Sequence, residues 1–275
     1  MEIKSKIQVA ILGATGSVGQ KFISLLSDHA WFEIAEVAAS ERSAGKLYKQ
    51  AVNWILSTPL PDEVANLEVK ECEPNLKSKI VFSGLDSGVA GPIEENFAKN
   101  GYIVISNSKN HRMDRDVPLL VPEINADHLE LIKTQNYNGG CIVTNPNCST
   151  IGMVISLKPL YDNFGLEEVN VVTMQALSGA GYPGVASLDI IDNVIPYISG
   201  TVGYRRLIFL SKDLIRNFTF ELIQNFQFFR RRKSFCLKFC IGEIASGSGI
   251  LAVEKIFIHP FKIKCIVKSH PHFSV

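Results

Sequence analysis

The 275-residue chain has no uninterrupted apolar run of about 18 residues, so it offers no membrane-spanning helix. Its formal charge is only +1, which gives the protein as a whole no electrostatic reason to bind nucleic acid or an anionic membrane surface. The six cysteines have no compact spacing, which excludes a disulfide framework and suits a reducing, cytoplasmic compartment. No spacing of histidines and cysteines has the pattern of a zinc site, so no metal is expected. The N-terminal residues run directly into IQVAILGATG, a strand-length apolar stretch without a small-residue cleavage site, and no signal peptide is expected. Internal repeats and low-complexity linkers are also missing. A hydrophobic share of 46% with 20% charged residues then excludes general disorder and points to a globular chain.

Acidic residues are scarce in one place. Residues 1–200 hold 15 basic and 23 acidic side chains, whereas residues 201–275 hold 13 basic, only 4 acidic, and 11 of the 16 phenylalanines. The last quarter therefore reads as a segment of different character.

Ahead of it, hydrophobic patterning gives a strand over 7–12, a glycine turn GATGSVG, and a helix with Phe22, Ile23, Leu25 and Leu26 at helical spacing. A second strand follows over 33–39. This is a βαβ unit, whose crossover is right-handed in nearly all proteins. IVFSGL (80–85) and YIVISN (102–107) are further short strands, with GPIEENFAKN suited to the helix between them. The alternation predicts an α/β fold with a Rossmann-like, doubly wound, mostly parallel sheet. CIVTNPNCSTIG then reads as strand, sharp turn through Asn145-Pro146-Asn147, and a helix starting near Cys148 or Ser149. EEVNVVTMQAL is a strand of a second domain.

The glycines of GATGSVG are spaced three and three. In their setting after a strand and before a helix they suit a tight turn, close backbone approach and a helix N-terminus facing a pyrophosphate. A glycine-rich turn in another kind of α/β protein is the competing reading. The second strand ends in Ser40-Glu41-Arg42-Ser43. Glu41 would suit a ribose hydroxyl; Ser40, Arg42 and Ser43 supply the donors wanted by a 2′-phosphate, which favours NADP. Cys148, opening a helix, sits where the dipole and the first N–H groups favour a thiolate. Such a thiolate can add to an aldehyde and pass through a thioester. In the loop 106–125, Arg112 has the fork for a phosphate or carboxylate, with Arg115 and Lys109 as competitors. Gln175 can orient a thiol or bind an oxygen.

Together these segments resemble the aspartate-semialdehyde dehydrogenases, in the form found in fungi and archaea. The matching stretches are GATGSVGQKFI, ASERSAGK, VFSGLDSGVAGPIE, SNSKNHRMDRDVPLLVPEIN, TNPNCSTIG and TMQALSGAGYPGVASLDIIDNVIPYISG, covering about residues 5–200. The resemblance implies Cys148 as nucleophile, Gln175 as the residue that positions thiol and substrate, and Arg112 as the phosphate-binding group. It further implies that Gly13, Thr15, Gly16, Ser17, Val18, Ser40, Arg42, Ser43, Ser83, Ser178 and Gly179 surround NADP. The implied reaction is reduction of L-4-aspartyl phosphate to L-aspartate 4-semialdehyde and phosphate, with a small-molecule substrate as partner and a homodimer or homotetramer as assembly. N-acetyl-glutamyl-phosphate reductase is the nearest rival, which ASERSAGK and TMQALSGAG disfavour.

The implied domain plan is residues 1–147 for NADP, 148–200 as the start of an α+β catalytic and dimerisation domain that is left incomplete, and 201–275 as a divergent tail. After Gly200 the family continues with an acidic stretch, whereas this chain reads Thr201-Val202-Gly203-Tyr204-Arg205-Arg206. A reading-frame change near codon 200 is the expected origin, against a divergent folded substitute or a new interaction segment. No histidine of the tail lies in the family's proton-shuttle motif. Little or no turnover is therefore expected, together with second-domain strands that lack neighbours.

Overall fold

The computed structural model describes residues 5–165, 168–174, 204–208, 238–242, 255–259 and 262–266. The chain divides into two compact units, Met1–Pro146 and Asn147–Val275.

In the first unit, β1 (Ile7–Leu12) leads through the glycine turn into α1 (Ser17–Leu26) and β2 (Phe32–Ala39). Two single-turn helices follow, α2 (Tyr48–Ala51) and α3 (Asp62–Ala65), then β3 (Val69–Glu71), β4 (Ile80–Ser83), α4 (Ala90–Lys99) and β5 (Ile103–Ser106). The short helix α5 (Pro122–Asn125) runs into a 3₁₀ helix, Ala126–Thr134, before β6 (Cys141–Thr144). All strand pairings in this sheet are parallel and the order is β3-β2-β1-β4-β5-β6. The direction of winding reverses between β1 and β4, which opens a crevice at the carboxyl ends of those strands.

A sheet buried on both faces needs apolar side chains in both pleat directions. β1 supplies them alternately: Val9 and Ile11 enter one core with Ile23, Val37 and Phe82, while Ala10 and Leu12 enter the other with Val81, Phe97 and Val104. The predicted helical face of α1 is partly corrected. Ile23 and Leu26 are buried, but Leu25 is exposed and the stripe is completed by Gly19 and Gln20.

In the second unit, α6 (Cys148–Phe164) buries Thr150, Met153, Val154 and Leu157, the i, i+3, i+4, i+7 spacing of one helical face. β7 (Glu168–Met174) pairs antiparallel with β8 (Tyr204–Ile208) and parallel with β9 (Lys238–Gly242). β10 (Lys255–His259) and β11 (Lys262–Ile266) form an antiparallel pair. The expectation that β7 would lack neighbours therefore does not hold, because residues beyond 200 flank it on both sides. Among the described residues no helix is long and apolar enough to cross a membrane.

Candidate active site

The glycine turn is built by backbone contact. Gly13 has φ of 69°, and a Cβ there would lie 2.8 Å from the Gly84 carbonyl oxygen. A Cβ on Gly19 would lie 2.2 Å from the Gly13 oxygen, and one on Gly84 would lie 2.8 Å from the Gly19 nitrogen. These three glycines let the β1–α1 turn and the end of β4 touch main chain to main chain. Gly84 is a participant that motif reading overlooked, although it directly follows a strand in FSGL.

Gly16 differs. It is exposed, has φ of −76°, and a Cβ on it would meet nothing closer than the Gly13 oxygen at 3.4 Å. The fold does not demand a glycine at that position, and its lack of a side chain leaves the backbone open to a ligand. Gly16 is also the N-cap of α1 and gives no side-chain cap; the first turn holds no acidic residue. The positive end of α1 is thus left open to an anion, with Thr15, Ser17 and Val18 half-buried around it. These features fit the pyrophosphate of a dinucleotide.

Beside the turn, Leu12 of β1 is in register with Ala38 of β2, which brings the Ser40–Ser43 loop to the same edge of the sheet. Ser40, Glu41 and Arg42 are exposed and Ser43 is half-buried. Thus the turn and the expected 2′-phosphate loop lie at the same end of the sheet.

Ser83, expected beside the cofactor, ends β4. It is fully buried, and its hydroxyl donates to Glu94 Oε1 at 2.6 Å, with Ser106 donating to the same oxygen at 2.8 Å. Its side chain helps fasten the ends of β4 and β5 to α4. Burial pushes the Glu94 carboxyl above its usual range, and the two serine hydroxyls and the charges of His111 and Arg112 only partly oppose that. Glu94 also escaped sequence reading. A signal existed: with Ala90, Phe97 and Ala98 it lies on the buried stripe of α4, where a carboxylate requires partners.

Arg112 is half-buried in the loop after β5, and its Nη2 donates to the Asn107 carbonyl at 2.7 Å. His111 beside it places Nδ1 2.8 Å from Asp114 and Nε2 3.8 Å from Glu94. Among the described residues no cluster of His, Cys, Asp and Glu could hold a metal ion.

In the second unit, Cys148 is the first residue of α6 and is exposed. Asn147 caps the helix by accepting from the Thr150 N–H at 2.8 Å. Cys72 is half-buried and Cys141 buried, and burial pushes both thiols above their ordinary range, so neither competes as a nucleophile. Gln175, Ser178 and Gly179 lie outside the described residues.

Comparison with known proteins adds lineage to this geometry. Residues 8–132 match the NAD binding domain of semialdehyde dehydrogenases, and residues 157–204 match the dimerisation domain of the same family. The chain is 53% identical over 200 residues to an aspartate-semialdehyde dehydrogenase of Schizosaccharomyces pombe, a match covering 70% of this chain and 56% of the relative. The enzyme of the same name from Archaeoglobus fulgidus is 52% identical over 199 residues, covering 71% of this chain and 58% of that protein. Among solved structures, aspartate-semialdehyde dehydrogenase with NADP from Candida albicans superposes with a TM-score of 0.65 at 43% identity, covering 71% of this chain and 57% of that one. The chain thus spans a little over half the length of these relatives. Its two matched modules follow one another as a Rossmann-like nucleotide domain and a smaller dimerisation domain. Over residues 8–204 the chain belongs to the aspartate-semialdehyde dehydrogenase family.

Proposed function

We propose that the chain carries the nucleotide-binding and thiol-bearing parts of an NADP-dependent aspartate-semialdehyde dehydrogenase, acting in the synthesis of methionine, threonine and isoleucine and, where that route exists, lysine. The observation that supports this best is the joint presence of two devices. One is a glycine turn with an uncapped helix end at the sheet's switch point; the other is an exposed cysteine opening a capped helix.

In the reductive direction the Cys148 thiolate attacks the acyl carbon of L-4-aspartyl phosphate. A carbon–sulfur bond forms, the carbon–oxygen bond to phosphate breaks, and phosphate leaves with the electron pair and takes up one proton. Bound NADPH supplies the hydride that reduces the thioester carbon. The resulting thiohemiacetal on Cys148 collapses, returning the electron pair to sulfur and releasing L-aspartate 4-semialdehyde. Arg112 is the phosphate-binding group, since a guanidinium fork matches that anion. Gly13, Thr15, Gly16, Ser17 and Val18 face the pyrophosphate, and Ser40, Arg42 and Ser43 the 2′-phosphate. Gln175 positions the thiol, and Ser178 and Gly179 complete the nucleotide site. The cytoplasm is the expected compartment, and a homodimer or homotetramer the expected assembly.

A second reading is favoured by the departure from the family pattern after Gly200: a protein that holds NADP without turning over. One assay separates the two. The full chain is given L-aspartate 4-semialdehyde, phosphate and NADP, and the absorbance of reduced nicotinamide is followed. Phosphate-dependent turnover that vanishes in Cys148→Ser supports the dehydrogenase. Nucleotide binding without turnover supports the second reading, and neither binding nor turnover overturns both.

A further inference from the structure

Two buried side chains hold the glycine turn from behind. Tyr48 is fully buried, and its phenol donates to the Ala14 carbonyl at 2.7 Å. Gln20, 2% exposed, donates through Nε2 to the carbonyls of Thr15 and Asn53, each at 3.0 Å, and accepts from the Ile55 N–H at 2.9 Å through Oε1. Successive carbonyls of the turn are therefore drawn toward protein. In a trans peptide the C=O and the following N–H point in opposite directions. Fixing the Ala14 carbonyl inward turns the Thr15 N–H outward. Fixing the Thr15 carbonyl leaves the Gly16 N–H to close the turn on the Gly13 oxygen, 3.0 Å away.

Neither side chain has a packing reason to be polar at its position. Gln20 occupies the buried stripe of α1 with Ile23 and Leu26, and Tyr48 lies in an apolar core with Val9, Ile11 and Val37. A phenylalanine or leucine would fill such places. What the polar atoms add is control of the turn's main chain, and both come from outside the turn: Tyr48 opens α2, and Gln20 is tied to residues 53–55.

We propose that Tyr48 and Gln20 are positioning residues for the dinucleotide's pyrophosphate, acting through the glycine turn whose amides they aim. This rests on the dinucleotide-binding reading of the turn. Tyr48 also lies two residues beyond the Ser40–Lys46 loop, so the support behind the pyrophosphate turn is continuous with the chain proposed to take the 2′-phosphate.

The test measures dissociation constants of the full chain for three ligands. NADP carries both groups, NAD carries the pyrophosphate without the 2′-phosphate, and adenosine 2′-monophosphate carries the 2′-phosphate without the pyrophosphate. Tyr48→Phe keeps the ring and removes the donor. It is expected to weaken NADP and NAD by about tenfold each, as the Thr15 amide loses its alignment on the pyrophosphate. Adenosine 2′-monophosphate should be held as before. A folded variant, by circular dichroism and melting, that binds all three unchanged overturns the inference. So does one that binds all three more weakly in equal proportion, since that is general loosening. Binding of neither dinucleotide by the unmodified chain would remove the reading beneath it, and the inference with it. If Tyr48→Phe does not fold, amide NMR of the unmodified chain with inorganic pyrophosphate gives the answer. The Thr15 resonance should shift, and an unmoved Thr15 overturns the proposal.

Discussion

Two buried glutamates show how the same side chain is given opposite tendencies by its surroundings. Burial alone would raise Glu36. The Lys70 ammonium and the N–H groups of Ser78 and Lys77 outweigh it and hold the carboxyl at about 2. A carboxyl held below its unfolded value stabilises the fold above that unfolded value and stops doing so as pH falls toward about 2. Glu36→Gln should therefore melt several degrees below the native chain at neutral pH, with the gap closing on acidification; a gap independent of pH would contradict the assignment. Glu94 has the reverse sign. Burial raises it and its Oε2 has no hydrogen-bond partner, so ionising it costs stability as pH rises through the raised value. Glu94→Gln is expected to melt above the native chain at neutral pH and to match it in acid. Thermal melts across pH check both.

At the scale of the element, the glycine turn separates folding from function by position. Gly19→Ala would force a Cβ to within 2.2 Å of the Gly13 oxygen, a backbone clash that no rotamer relieves. It should cost at least about 1–3 kcal/mol of stability, the usual range for overpacking. Gly16→Ala meets only a 3.4 Å contact and should stay within about 1 kcal/mol of the native stability. Its effect should fall on nucleotide affinity, because the added methyl occupies the face proposed for the pyrophosphate. Urea titration and calorimetric binding of both variants check the contrast. Equal losses of stability at the two positions would refute it. The pattern of three-spaced glycines is visible in sequence, but the division of labour between Gly16 and Gly19 is not, since it depends on how closely the folded turn brings each Cα to the Gly13 oxygen.

For the molecule as a whole, a ligand that binds only the folded first unit raises the melting temperature by mass action. At a hundredfold excess over the dissociation constant, the gain is about 2.7 kcal/mol. NADP is expected to stabilise the chain in this way. Arg42→Ala should reduce the gain from NADP and leave the smaller gain from NAD intact, if Arg42, exposed in the loop after β2, holds the 2′-phosphate as proposed. Equal loss for both nucleotides would count against that role. In the second unit, β8 and β9 come from the part of the chain whose composition departs from the rest, yet both pair with β7. Strand pairing is made by the backbone, so it can be satisfied by a segment that does not keep the family's side chains.

By itself the sequence determined the alternating elements of the first unit, the nucleotide turn after β1 and the cysteine at the start of α6. These are local matters of hydrophobic period, turn chemistry and helix capping, each written in a few adjacent residues. Only the tertiary structure decided that Ser83 faces inward to Glu94, that Leu25 points outward while Gln20 and Tyr48 hold the turn, and that Gly84 meets Gly13 and Gly19. Those outcomes depend on which residues from separate strands and helices come within bonding distance. A buried polar group must find its partner wherever the fold brings one, and no local pattern specifies that meeting.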